Sequence, residues 1–360
     1  MTITRCPETG LSADYGDIIV ADISEKMNLK ITYNEEIILP ETYYPDNSGS
    51  VYIRDISLLA DMYRQVNDLS DNVIADAGSI TLSLEFTEKD ADDEVVETDT
   101  QDITLYACES ETAGTLISDV LKDIPLTRCF NKTVCPGQKE YLSFYGTGEI
   151  TAVVIYTGTT RDQSAILTLT ELPESADTMH RLDVSPEVIA GLADIEQSRI
   201  VYYLLYKDIN CRIKFTMNPY LRPQATFIFH NTFGAQETFT CTGDRESERK
   251  WTREYGQINR HQHLVTRELA LKYTANSGYL TQEQTEILED LLNAKEISLM
   301  DEHGWHPVSI EEETFKVTSR RDELVDVEFK YRRSGQNQSQ YRFNPKKYRR
   351  FDFTYDKAYN

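Results

Sequence analysis

The stretch that decides the fold runs Ser79-Ile80-Thr81-Leu82-Ser83-Leu84-Glu85-Phe86. Its apolar residues stand at every second position, and the same period returns at Ile103, Leu105 and Ala107. Because successive side chains of a β-strand point to opposite faces, this period predicts two strands that each bury one face. The polar residues between them predict that the two strands form a β-hairpin.

Further period-two runs, rich in Val, Ile, Thr, Tyr and Phe, follow along the chain. They cover residues 151–156, 165–169, 200–206, 213–217, 226–229, 315–317 and 324–331. Many short strands with few helices are typical of sandwiches and barrels, not of a doubly wound α/β sheet. We therefore predict a mainly β fold of tandem β-sandwich or barrel-like domains with a few short helices and an extended C-terminal arm.

Three helices carry start signals. Thr281 followed by Gln284 forms a capping box, in which each side chain satisfies a free backbone donor at the helix start, and the apolar stripe that follows predicts a helix to about Asn293. Asp55 is expected to cap a second helix through residue 63. Ser185, with Pro186 at the first helical position, is expected to start a third through residue 193.

Interruptions in the strand pattern divide the chain into four parts. We place β domains at residues 1–115, 116–215 and 216–335, the last containing the capped helix. Residues 336–360 have no apolar period that would build a core, and we interpret them as an extended arm.

Charge is divided unevenly along the chain. The 360 residues carry 37 basic and 60 acidic side chains, a net charge of −23. Residues 1–200 hold 13 basic and 37 acidic side chains, whereas residues 201–360 hold 24 and 23. This polarity suits subunits that stack a positive face on a negative one. The acidic total disfavours nucleic acid as a partner of the whole molecule.

No stretch approaches the length of a membrane span, and no signal peptide is recognisable at residues 1–17. These observations predict an intracellular product that does not insert in a membrane. The six cysteines lack a Cys-x-x-Cys spacing and are expected to be free thiols.

Metal-binding patterns are incomplete. Residues 88–102 are rich in carboxylates, but Val95 stands where an EF-hand loop requires Gly, so we interpret the segment as a solvated hairpin tip. His261 and His263 share one side of a predicted strand, and His303 and His306 form a second pair. Neither pair reaches the three or four ligands of a typical site, and surface or interface roles are expected.

Enzyme signatures are also incomplete. Thr151 follows the Gly146 and Gly148 pair where a dinucleotide fingerprint needs Gly, and no phosphate-binding loop occurs. Acidic pairs are too numerous to single out two catalytic carboxylates. We predict no enzymatic activity, no cofactor and no metal.

The most unusual local feature is the basic aromatic arm. From Tyr331 onward, eight basic residues stand against two acidic ones, interleaved with aromatic rings. Such a composition suits stacking on single-stranded nucleic acid, and it suits a protein interface equally well. The acidic first half favours a protein neighbour. The predicted interface residues are Tyr341, Arg342, Phe343, Lys346, Lys347, Tyr348, Arg349, Arg350 and Phe351.

A resemblance to a known class covers residues 253–331. A strand at 265–273, the capped helix, strands at 296–300 and 305–310, and a final strand ending at Tyr331 follow one another. This pattern resembles the small β-domains of phage tail-tip and baseplate proteins, with distal-tail proteins as the nearest type. The resemblance implies a ring at the end of a tail tube, with outer sandwich domains that can carry receptor or glycan contacts.

The expected function is therefore that of a structural virion protein. It would form a homo-oligomeric ring with other phage tail proteins, through its β-domains and its arm, assembled in the host cytoplasm and then part of the virion tail. The alternative is a carbohydrate- or receptor-binding β-sandwich module. Trp251 with Tyr255, or the pair Tyr43 and Tyr44, would then line a sugar face, whereas core packing is the simpler expectation for each.

Overall fold

The computed structural model describes residues 1–12, 15–63, 74–75, 79–108, 124–146, 148–172, 179–207, 212–258, 261–301, 304–311 and 325–334. Five β-sheets and three α-helices form this part of the chain. The predicted mainly β fold of tandem β-domains with a few short helices is confirmed. The predicted strand at residues 315–317 and the predicted arm lie outside the described residues.

The first sandwich pairs a three-stranded sheet, in the order β1-β3-β6, with a five-stranded sheet, in the order β2-β9-β8-β4-β5. In chain order, the elements up to Tyr106 are β1 Thr2–Arg5, β2 Thr9–Leu11, β3 Ile18–Ala21, β4 Lys26–Tyr33, β5 Glu36–Tyr43, β6 Val51–Ile53, α1 Ile56–Tyr63, β7 Ile74–Ala75, β8 Ser79–Lys89 and β9 Val95–Tyr106. All of them except β7 belong to the first sandwich. The predicted hairpin is β8 and β9, antiparallel from Ser79 opposite Tyr106. Ile80, Leu82 and Phe86 are buried between the sheets, as the period-two alternation requires.

The second sandwich pairs a five-stranded sheet, in the order β10-β16-β15-β12-β13, with a three-stranded sheet, in the order β11-β14-β7. Its elements are β10 Asn131–Val134, β11 Tyr141–Tyr145, β12 Gly148–Thr157, β13 Asp162–Leu172, β14 Met179–Asp183, α2 Pro186–Ala193, β15 Ile200–Tyr206 and β16 Arg212–Met217. Tyr203 and Phe215 stack in its core, with ring centroids 4.8 Å apart. β7 joins this sandwich although it precedes β8 in the chain, because Ala75 pairs with Met179.

The third unit is a seven-stranded sheet in the order β18-β17-β21-β22-β23-β20-β19. Its elements are β17 Ala225–His230, β18 Gln236–Cys241, β19 Arg245–Ile258, β20 His261–Asn276, α3 Gln282–Asn293, β21 Ile297–Asp301, β22 Gly304–Ile310 and β23 Glu328–Arg333. Helix α3 buries its apolar stripe, Ile287, Leu288 and Leu291, against the aromatic face of this sheet.

Two of the predicted capping groups, Thr281 and Ser185, behave differently in the structure. The capping box is confirmed, because the Thr281 hydroxyl accepts from the Gln284 backbone N–H and the Gln284 side chain accepts from the Thr281 N–H. Helix α2 begins at Pro186 as expected, but Ser185 makes no side-chain cap. Its hydroxyl instead donates to Asp183 and accepts from the Glu140 N–H. The Ser185 hydroxyl therefore binds Asp183 and Glu140, and it does not cap the helix.

Each unit has its own hydrophobic cluster, and a smaller cluster joins them. The joining cluster brings Leu11 and Tyr106 of the first unit against Tyr145 and Met179 of the second and Ala235 of the third. The predicted domain boundaries stay a prediction. No helix among the described residues is long and apolar enough to cross a membrane.

Candidate interaction surface

The longest element pair of the molecule is the ribbon formed by β19 and β20. The two strands pair from Arg245 opposite Ala275 to Ile258 opposite His261. Strand β23 accompanies β20 only over Tyr273–Asn276, and β19 is the outermost strand of the sheet as described. At about 3.4 Å per residue, the ribbon beyond that point is about 35 Å long.

Both faces of β19 meet solvent. Every residue from 246 to 253 is exposed, although neighbouring residues of a strand point to opposite faces. Trp251 is 49 % exposed and Tyr255 is 56 % exposed. The expectation that these two rings pack in the core is therefore wrong. Along residues 245–276 seven basic side chains stand against four acidic ones.

A second open edge is acidic. Strand β2 covers β9 only from Thr104 to Tyr106, so in the described structure the earlier part of β9 has a strand on one side only. Residues 95–100 are exposed, including the apolar Val95 and Val96. Residues 90–102 hold seven carboxylates and no basic residue. The predicted solvated hairpin tip is confirmed for residues 91–100, which are exposed, but Glu88 of the same segment is buried and accepts from the Ser24 hydroxyl.

A groove of about 690 Å³ lies between the end of β5, the loop into β6, and α1. Tyr44 is 74 % exposed on the loop, and Met62 is 79 % exposed on the helix. Tyr43 is half-buried against the core, but Tyr44 is not, so core packing is wrong for Tyr44. Sequence reasoning missed Tyr52 and Met62, because neither belongs to a motif and their convergence depends on the fold.

Carboxylates dominate the polar part of the groove. Glu41, Asp46 and Asp55 line it together with one cation, Arg54. Asp46 accepts hydrogen bonds from the Ser48 hydroxyl and from two backbone N–H groups, which lower its pKa and keep it ionised. The Arg54 guanidinium lies 3.5 Å from the carboxylate of Asp17, a residue that does not line the groove. The groove therefore offers exposed rings and a net negative charge.

A buried charge cluster joins the second and third units. The Lys132 ammonium lies 2.7 Å from both the Glu140 and the Glu237 carboxylates. Thr127 and Asn231 donate to Glu237 at 2.6 Å. Burial alone would lower the pKa of Lys132, but the charges and hydrogen bonds of the two carboxylates outweigh it and raise that pKa. Burial raises the pKa of Glu140. With its charged groups paired and enclosed, the cluster is a structural junction.

The remaining sequence candidates are the residues of the arm and the histidines. The predicted interface residues of the arm, Tyr341 to Phe351, lie outside the described residues, as does His303. His306 lies 2.8 Å from Asp301, which also binds Arg333 at 2.7 Å. Among the described residues no group of three or more His, Cys, Asp and Glu side chains is arranged to hold a metal ion.

Four of the five described cysteines are buried, and Cys6 is partly exposed. Five described cysteines are free, as predicted, and Cys211 lies outside the described residues. Burial raises the pKa of Cys129 to about 12 and that of Cys135 to about 11. Because the thiolate is the reactive form, these two thiols are held in the inert state at neutral pH.

Comparisons with known proteins add little. No family model matches the chain, and no curated protein matches it. Among solved structures, a tetra-tandem repeat in the extending region of a large adhesion protein aligns with 77 % of this chain and 69 % of its own. The sequence identity is 11 % and the TM-score is 0.19. A likeness at that level carries no argument about this chain.

Proposed function

We propose that this protein is a structural component that assembles with copies of itself in a phage tail or baseplate. The observation that carries the proposal is that Trp251 and Tyr255 are exposed on β19, the outermost strand of the sheet among the described residues. The protein acts by association, as a non-enzymatic scaffold located in the virion tail.

The outermost strand of a sheet can pair with a further strand, so such an edge is a natural place for a partner chain to bind. Charged side chains can blunt such an edge, and β19 carries several. Trp251 and Tyr255 do not serve that purpose, since large rings at the surface lower the free energy most when a partner covers them. The charges then select the partner, which should be acidic.

The acidic β9 edge is the matching surface within this chain. It carries carboxylates where the ribbon carries an excess of cations, and Val95 and Val96 supply apolar contact. A chain that bears both edges at different places forms head-to-tail contacts, which close into a ring if the rotation between copies allows. The ribbon of one copy beside β9 of the next is the contact we propose.

The phage assignment rests on the last unit. Strand β20, the capped helix α3, and strands β21, β22 and β23 follow in the order that resembles tail-tip proteins. We propose a homo-oligomeric ring, with other tail proteins as its neighbours. Rings in negative-stain images of the purified chain are the expected result, and a chain that stays monomeric at every concentration contradicts it.

A charge swap tests the proposed contact. Arg249→Glu with Lys250→Glu exchanges two cations of the ribbon for carboxylates, and Asp99→Lys with Asp102→Lys exchanges two carboxylates of the acidic edge for cations. Each pair should weaken association measured by light scattering, and the combination of all four should restore it. Arg161→Glu with Lys295→Glu is the matched control, since these exposed residues give the same change in net charge elsewhere. Failure of the combination to restore association counts against the pairing of the two edges.

Carbohydrate binding is the second candidate function. The observation in its favour is the groove, because Tyr43 and Tyr44 line it. Binding of neutral oligosaccharides on a glycan array, lost in Tyr44→Ala, would support it. The carboxylates of the groove can accept hydrogen bonds from the hydroxyls of a neutral sugar, but they favour a cationic occupant more, so we place this function second.

A further inference from the structure

The groove beside α1 lacks an occupant in the described structure, and its chemistry specifies one. Tyr44, Tyr52 and Met62 are exposed on three different elements that converge there. A contiguous exposed apolar surface on a soluble protein is typical of an interaction site. Three carboxylates beside it require that the occupant be cationic as well as aromatic.

Residues 336–360 have that composition. They contain six basic residues, two acidic ones and seven aromatic rings. Arg is enriched with Tyr at interface hot spots because its planar guanidinium stacks on rings and binds carboxylates with two hydrogen bonds. The central run Tyr348-Arg349-Arg350-Phe351 places two cations between two aromatic rings.

We propose that the arm, residues 336–360, of one copy binds in the groove between β5, β6 and α1 of a second copy. This inference rests on the proposed function, since it supplies a second contact between assembling chains. Rings of the arm cover Tyr44, Tyr52 and Met62, and its guanidinium and ammonium groups face Glu41, Asp46 and Asp55.

The arm is long enough to extend away from its own copy, and charge favours the contact. The described chain leaves β23 at Ser334, and the seven residues from there to Tyr341 can span up to about 25 Å. Residues 1–115, which include the groove, hold 25 acidic and 6 basic side chains. The negative electrostatic potential of residues 1–115 therefore attracts a basic segment even before the two make contact.

A double-mutant cycle on the full chain tests the contact. Tyr44→Ala alters the groove, Phe351→Ala alters the arm, and both changes are then combined. Association is measured by light scattering at low salt. Each single change should weaken association about tenfold, and the combination should weaken it little further, because both changes remove one shared contact. Losses that multiply to about a hundredfold overturn the proposal.

Two controls accompany the cycle. Tyr220→Ala removes a ring that is 92 % exposed in the turn after β16 and does not line the groove, so it should leave association unchanged. A cooperative thermal transition at the wild-type temperature shows that each variant is folded. A synthetic peptide of residues 336–360 should dissociate the assembled full chain, whereas a peptide of the same composition in scrambled order should not. Equal effects of the two peptides overturn the proposal.

The remaining outcomes are distinct. If the chain associates but the effects of Tyr44→Ala and Phe351→Ala on association are additive, this inference is wrong and the proposed function is unaffected. A chain that is monomeric at every concentration defeats the proposed function. Unchanged association in Tyr44→Ala, together with lost binding of a neutral oligosaccharide, overturns the inference in favour of the carbohydrate module.

Discussion

Lys132 is the residue whose loss should cost the most stability. It is buried between two carboxylates, and its removal leaves Glu140 and Glu237 without a counter-charge in a medium that solvates them poorly. We expect Lys132→Met to lower the free energy of unfolding by about 3–5 kcal/mol. Urea unfolding followed by circular dichroism measures the change.

Lys139 provides the matched control for that experiment. Its ammonium lies 3.6 Å from the Asp183 carboxylate, but both groups are partly exposed. Water screens such a pair, so Lys139→Met should cost less than about 1 kcal/mol. Similar losses for the two variants would show that burial does not set the strength of the Lys132 cluster.

His230 should make stability depend on pH. Burial lowers its pKa to about 4, below the usual 6.5, and Arg181 adds to the effect. A group with a lowered pKa contributes stability that is present above its unfolded pKa and lost as the pH falls through its folded pKa. Each pKa unit corresponds to about 1.4 kcal/mol, so about 2–3 kcal/mol should be lost between pH 6.5 and 4.

The variant His230→Gln isolates this contribution. Its free energy of unfolding should fall less steeply over that pH range than the wild-type value, because Gln does not titrate. Parallel curves for the two proteins would show that His230 titrates alike in the folded and unfolded chains.

At the scale of an element, the capping box sets the start of α3. The Thr281 hydroxyl satisfies the Gln284 N–H, which otherwise lacks a partner within the helix. Thr281→Ala should lower the free energy of unfolding by about 1 kcal/mol, whereas Thr281→Ser should keep most of it. Thermal melting checks both. Equal losses for Ala and Ser would mean that the methyl group, not the hydroxyl, matters.

Local signals allowed several elements to be predicted, but strands such as β4 and β19 carried no signal that the sequence analysis recognised. The alternation from Ser79 to Phe86 predicted β8, and Thr281 with Gln284 predicted α3, because both depend on residues close in sequence. Ser185 shows the limit. Its hydroxyl could either cap the helix or bind a distant backbone group. It binds the backbone N–H of Glu140, which is 45 residues away in sequence.

At the scale of the whole molecule, association should weaken with salt. The proposed contact joins a basic ribbon to an acidic edge, and salt screens exposed charges at distances beyond the Debye length, about 10 Å at 0.1 M and about 3 Å at 1 M. Light scattering should show a smaller mean mass at 1 M than at 0.05 M NaCl. A mass that rises with salt would indicate that apolar contacts dominate.

The sequence by itself determined the fold class, the capped helix, the free state of the described cysteines and the uneven charge. Each follows from residue type or from spacing along a few turns or pleats, where backbone geometry alone relates position to direction. The tertiary structure decided which strands lie at open edges, and that Trp251, Tyr255 and Tyr44 are exposed. It also placed Glu237 on Lys132, 105 residues away. These features depend on contacts between distant segments, and an amphipathic ring is compatible with either a core or a surface until the fold places it.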